Sequence, residues 1–141
     1  MTRTEKVGYG ICGYAGAGKS TAAEMIADWT GAINIETGDT VRSGAEDHFG
    51  TPASELSSDE LGEYSTMRRE EDGGDYVAQD IIDQLEQRED FPAKPVVICG
   101  IRDTTVPSLF RDWFDSFELI AVHADFDTRL ERLRGRGRNG E

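Results

Sequence analysis

The sequence predicts an α/β domain, a parallel sheet with helices on both faces. Three observations carry that expectation. The apolar run Val7 to Cys12 leads into a glycine-rich stretch and then into a helical pattern. Strand-like runs and helical periodicities alternate from there along the chain. Val96 to Cys99 is apolar at every position, as a strand covered on both faces must be.

Taken in order, Val7 to Cys12 reads as the first, buried strand. Ser20 to Trp29 reads as the first helix, with Ala22, Ala23, Met25, Ile26 and Trp29 supplying its apolar positions and Gly31 its end. Ala32 to Ile35 is a short second strand, with Gly38 and Asp39 following at its C-terminal end. Thr40 to Phe49 fits a short helix, since Val41, Ala45 and Phe49 recur at i, i+4 and i+8. Ser54 to Asp72 is strongly polar and reads as one or two covering helices that contribute no core. Asp75 caps an amphipathic helix carrying Val77, Ala78, Ile81, Ile82 and Leu85. Val96 to Cys99 is the third strand, and Gly100 to Asp103 is the loop at its end. Val106 to Phe114 is a helix with Pro107 in its first turn. Phe117 to Val122 is a fourth strand. Asp127 to Arg134 is helical, with Leu130 and Leu133 facing inward, and the glycine-arginine run 135–138 ends it.

The length of 141 residues suits one domain, 1–141, around one core. No apolar run reaches membrane length, and no charged-then-apolar leader opens the chain. Cys12 and Cys99 are the two cysteines, both in strand-like runs, which suits a reducing compartment and a cytoplasmic protein. The net charge is −13, from 28 acidic and 15 basic residues, and only Lys6, Lys19 and Lys94 are lysines. Such a surface is similar in composition to proteins of extreme halophiles. It argues against general nucleic-acid binding, because no broad basic face is available. The local exception is Arg129, Arg132, Arg134, Arg136 and Arg138, a basic cluster that needs a local anion.

The chemistry is most legible between the first strand and the first helix. Gly13-Tyr14-Ala15-Gly16-Ala17-Gly18-Lys19-Ser20 fits the phosphate-binding pattern G-x-x-x-x-G-K-[ST]. The glycines let the backbone take positive φ and approach a phosphate, with successive N–H groups turned inward as an anion nest. The helix beginning beside Lys19 adds unpaired N–H groups and the positive end of its dipole. Lys19 is then the charge between the β- and γ-phosphates of ATP, Ser20 a ligand for Mg²⁺, and Thr21 a partner of the α-phosphate. A chance glycine-rich turn is the alternative, and the strand before and helix after it argue against that. The pattern says that a nucleotide binds, not what is done with it. In a parallel sheet the ligand sits beyond the C-terminal strand ends, which makes Asp39, Arg102, Asp103 and Asp125 further candidates.

The glycine loop, then Gly38-Asp39-x-x-Arg42, then Gly100-x-Arg102 after a buried strand, then an arginine-rich end, resembles the nucleoside monophosphate kinase group of P-loop proteins. Adenylate kinase and dephospho-CoA kinase belong to that group. Leu61 to Ile82 and Arg129 to Arg138 further resemble an archaeal family of predicted nucleotide kinases. The resemblance implies a three-layer P-loop NTPase fold with strand order 2-3-1-4. It implies that Arg42 and Arg102 hold the acceptor phosphate and that Asp39 orders the water shell of the metal. It implies that Arg132, Arg134, Arg136 and Arg138 neutralise the transferring phosphoryl group. Asp39 has a second reading as a solvated residue at a helix start. Arg68 and Arg69 either reach the acceptor or pair with acids on their own face.

Two departures from the group stand out. The third strand usually ends in an aspartate near Mg²⁺, and here it ends in Cys99, a poor partner for a hard cation; Asp39 or Asp103 then takes that role. The group's fifth strand and last helix have no counterpart, which suggests a fragment, a short gene product or half of an assembly. Self-association through the exposed edge of the fourth strand, and weak discrimination between ATP and GTP, follow as expectations. Related strands being neighbours, Cys12 and Cys99 are expected close together, buried beneath the loop. The expected activity is Mg²⁺-dependent transfer from ATP to a nucleoside monophosphate or dephospho-CoA-like acceptor. The alternative is a regulatory nucleotide switch with slow or no hydrolysis. No nucleic acid or membrane partner is expected.

Overall fold

The computed structural model describes residues 4–101 and 105–136. Strands β1 (Val7–Cys12), β2 (Ile33–Glu36), β3 (Val96–Cys99) and β4 (Ser116–Ala121) form one parallel sheet in the order β2-β3-β1-β4. That is the order the resemblance implies. The helices are α1 (Lys19–Thr30), α2 (Thr37–Phe49), α3 (Ser58–Asp72), α4 (Tyr76–Glu86), α5 (Thr105–Trp113) and α6 (Phe126–Arg136), with a 3-10 turn at Ala53–Glu55. None among the described residues is long and apolar enough to cross a membrane.

β3 is buried at all four positions, and its side chains alternate between two cores. Val96 and Ile98 face the larger one, with Ala78, Ile81 and Leu85 of α4 and Val106, Phe110 and Phe114 from the α5 side. Phe91 stacks on Trp113 and Phe114 on Phe117 there, both pairs with centroids 5.5 Å apart. Val97 and Cys99 face the other core, with Ile11 of β1 and Ala23 of α1. Burying one such side chain contributes about 1.5–3 kcal/mol, so β3 is the sheet's best-anchored strand. β4 pairs with β1 on one side only and leaves Leu119 exposed.

The cysteine expectation fails while the strand order holds. In the register Ile11, not Cys12, lies opposite Cys99. Side chains alternate along a strand, so this one-residue offset puts the thiols on opposite faces. Cys99 packs in the α1 core, and Cys12, only half-buried, packs against the larger core.

Several boundaries and roles also differ from expectation. α2 begins at Thr37, so Gly38 and Asp39 lie in its first turn and not in a loop. On α1 only Ala23 is buried; Met25 and Trp29 face outward. Asp75 stands at the N-cap of α4 without a side-chain cap, its carboxylate accepting instead from Gln79. α6 runs through Gly135 to Arg136, because nothing at Gly135 forces a turn.

α3 is more than a cover. Its start carries a capping box: Glu60 N–H donates to Ser57 Oγ at 3.1 Å, and Ser57 N–H donates to Glu60 Oε1 at 3.0 Å. The S-x-x-E spacing was its signal in the sequence. Tyr64 is buried against Ala45 of α2 and Tyr76 of α4, a third small core. Arg68 ties it together. Its guanidinium donates to both carboxylate oxygens of Asp80 at 2.9 Å, to Tyr64 Oη at 2.7 Å and to Asp72. Burial raises the pKa of the Tyr64 phenol above its ordinary value, and the Arg68 hydrogen bond partly offsets that. The network joins α3 to α4 across the turn at Gly73 and Gly74. Arg68→Met leaves Asp80 and Tyr64 without their donor and is expected to lower unfolding free energy by about 1–3 kcal/mol in urea denaturation. A change within error would show that the network contributes nothing to holding α3.

Candidate functional site

The loop between β1 and α1 has the backbone its sequence calls for. Gly16 and Gly18 take φ of +80° and +101°, and Gly18 forms the left-handed N-cap of α1. No side chain caps this helix start, so its first N–H groups are left to an incoming anion. A Cβ at Gly16 would come within 2.8 Å of the Arg129 carbonyl, so α6 is seated directly against the loop. Lys19 Nζ donates to the Gly13 carbonyl at 2.9 Å, which folds the ammonium back over the loop. Ser20 and Thr21 stand exposed in the first turn of α1.

A cavity of about 1060 Å³ opens beyond the C-terminal ends of β2 and β3. Its floor is Ala15, Gly16 and Gly18 to Thr21. One wall is Glu36, Thr37, Gly38, Asp39, Val41 and Arg42, from the end of β2 and the start of α2. The far wall is Leu61, Ser65 and Arg69 of α3 with Gly74, Tyr76 and Val77. Cys99, Gly100, Ile101 and Val106 close the base. The glycine-loop backbone and two arginines therefore border one space of nucleotide size.

The structure distributes the expected residues as follows. Lys19, Ser20, Thr21, Asp39 and Arg42 come together around this cavity. Arg42 donates to Asp39 Oδ1 at 3.2 Å, one exposed i, i+3 pair in the first two turns of α2. Gly13 and Ala17 support the loop without lining the cavity. Tyr14 is 74% exposed, and its ring lies 5.0 Å from the Arg129 guanidinium. Arg132 reaches the loop, donating from Nη1 to the Gly16 carbonyl at 2.9 Å. Arg134 is exposed on α6. Arg102, Asp103, Arg138 and the side chain of Arg136 lie outside the described residues.

Asp125 is not drawn into the cavity. Its carboxylate accepts from the Thr128 backbone N–H at 2.8 Å and so caps α6, and that bond holds its pKa below the usual carboxylate range. Arg68 and Arg69, adjacent in sequence, separate by function: Arg68 is engaged with Asp72 and Asp80, and Arg69 lines the cavity. Sequence reasoning overlooked Glu36 and Ser65, for which no local motif gave a signal. Among the described residues no three His, Cys, Asp or Glu side chains gather closely enough to hold a metal by themselves.

Fold and site together define a P-loop domain of the kinase-like kind. A family model described as "AAA domain" matches residues 10–141. The chain belongs to the UPF0200 family. It is 30% identical over 132 residues to the UPF0200 protein of Methanoregula boonei, covering 94% of this chain and 68% of that protein. It is 34% identical over 133 residues to the one from Methanocaldococcus jannaschii, covering 94% and 64%. The chain thus spans about two thirds of the length of these relatives. Among solved structures, a gluconokinase from Sinorhizobium meliloti superposes with TM-score 0.56 at 20% identity, over 99% of this chain and 69% of that one. A sugar kinase from Janibacter gives 0.51 at 16% identity, over 96% and 69%. At those identities the likeness is one of fold.

Lys19 is the one cation the loop itself offers a phosphate chain. Lys19→Ala is expected to weaken ADP binding by about 10- to 100-fold in calorimetric titration, with the thermal unfolding midpoint little changed. Equal affinity in variant and parent would contradict the phosphate-loop assignment.

Proposed function

We propose that this domain is a Mg²⁺-dependent phosphotransferase that passes the γ-phosphoryl group of ATP to a small phosphorylated acceptor. A nucleoside monophosphate or a dephospho-CoA-like molecule is the acceptor class. The single observation that carries this reading is the shared cavity. The phosphate loop borders the same space as Arg42 of α2, paired with Asp39, and Arg69 of α3, and a module that only bound one nucleotide would need no further arginines on the walls facing the loop.

The chemistry asked of the protein is chiefly placement and charge. The loop backbone and Lys19 hold the donor phosphates. Ser20 is the side chain that would hold Mg²⁺, which supplies charge neutralisation on the phosphates when bound. Arg42 and Arg69 orient the acceptor anion, and Arg132 of α6 already donates to the loop at the Gly16 carbonyl. An acceptor phosphate is ionised at neutral pH, so no strong base is required. Leu61, Val41, Tyr76 and Val77 give the acceptor's uncharged portion an apolar wall. The domain would reside in the cytoplasm.

A regulatory nucleotide switch is the second reading, favoured by the buried thiol of Cys99 where an acid would assist the metal. The two separate in one assay. With ATP, Mg²⁺ and a panel of nucleoside monophosphates and dephospho-CoA, the phosphotransferase gives ADP only when an acceptor is present. Arg42→Ala and Arg69→Ala are each expected to raise acceptor KM by about 10- to 100-fold with little change in ATP affinity. Acceptor-independent ADP release at an unchanged slow rate would favour the switch.

A further inference from the structure

β3 ends in Cys99, and the sheet places a carboxylate beside it. In the parallel pairing of β2 with β3, Glu36 lies opposite Cys99. Paired residues share a face, so Glu36 emerges on the α1 side of the sheet, where Ser20 opens the helix. A second space of about 290 Å³ there is bordered by Ser20, Glu24, Asn34, Glu36, Asp39 and Cys99, and of its three carboxylates Glu24 does not line the large cavity. Glu36 and Ser20 also border the large cavity, so both reach the place where loop-bound phosphates would stand.

Glu36 is held in position more firmly than Asp39. Thr37 Oγ1 donates to the Gly100 carbonyl at 2.8 Å, pinning the β2–α2 junction to the end of β3. Gly100 has φ +93°, and a Cβ there would lie 2.9 Å from Glu36 Oε1, so the carboxylate rests against bare backbone. Among the described residues no Lys, Arg or His pairs with Glu36. Asp39 has a side chain 77% exposed and is engaged with Arg42.

We infer that Glu36 supplies the carboxylate toward the Mg²⁺ of a bound nucleotide, the role an acid at position 99 would otherwise fill. The inference rests on the phosphotransferase reading only in needing a metal-nucleotide complex at the loop. Such outer carboxylates act by accepting hydrogen bonds from metal-bound water, and losing one typically costs 10- to 100-fold in metal affinity.

The test uses Mn²⁺ as the probe, its free concentration read by electron paramagnetic resonance with protein and saturating ADP. Glu36→Gln is expected to weaken Mn²⁺ binding to the ADP complex by about 10-fold or more. The same variant is expected to bind ADP in EDTA at least as tightly as the parent, because a negative charge near the phosphates has gone. Glu36→Asp, which keeps the charge, is expected to retain most of the Mn²⁺ affinity. Parental Mn²⁺ affinity in Glu36→Gln would overturn the assignment, and full loss in Asp39→Asn beside it would give the role to Asp39. Equal losses in Glu36→Gln and Glu36→Asp, or a parallel loss of ADP affinity in EDTA, would show a structural prop and overturn it too. If the parent protein binds no ADP, the proposed function fails together with this inference.

Discussion

The structure depends on how one backbone turn is held. The loop from Gly13 to Gly18 takes its shape from positive-φ glycines, with one internal turn bond from the Ala17 N–H to the Tyr14 carbonyl at 3.1 Å. It is otherwise fixed from outside. β1 lies between β3 and β4, both hydrogen-bonded to it, and the Gly100 and Val122 N–H groups continue those ladders onto the Ile11 and Cys12 carbonyls at 3.1 and 2.9 Å. On the far side of the loop, α1 is clamped through the buried Ala23, and α6 lies against Gly16. A binding nest made of backbone costs little reorganisation when it fills, provided the frame around it is rigid. The two cores on either side of β3 provide that frame.

The walls of the cavity that face the loop depend on a different set of contacts. α2, α3 and the start of α4 meet around Ala45, Tyr64 and Tyr76, a small core that touches the main one through Val77. Much of what joins α3 to α4 is polar, through Arg68, Asp72 and Asp80. A wall held this way has a lower opening cost than the sheet beneath it. Under the proposed phosphotransferase reading, that suits a segment that admits an acceptor and then covers it. The contrast between a firmly framed loop and a more lightly held wall across the cavity follows from where the apolar residues fall in the chain.

The phosphate loop, the four strands and the class of fold were legible in the sequence because each rests on local pattern: glycine spacing, apolar runs, helical period. Strand order was not local and came from resemblance. Register was legible from neither, and the cysteines show the consequence, since one residue of offset moved Cys12 and Cys99 to opposite faces. The same register made Glu36 interesting, and no pattern around Glu36 hints at it. Polar composition misled at α3, where Tyr64, with Leu61 and Met67 packed beside it, turned a cover into part of a core. The arginines of Leu61 to Ile82 were likewise ambiguous until Asp80 fell beside Arg68 and left Arg69 to the cavity. Met25 and Trp29 fit a helical period yet face outward, because a period gives a stripe and not the direction of the stripe.

The central claim is that the Gly13 to Thr21 loop is the nucleotide floor of a site shared with the start of α2. Amide hydrogen exchange of the chain, with and without Mg²⁺ and ADP, tests it most directly. The account predicts slowed exchange across residues 13–21 together with residues 36–42, the loop and the start of α2 on its neighbouring wall. Unchanged exchange across 13–21 in the presence of saturating nucleotide would contradict it.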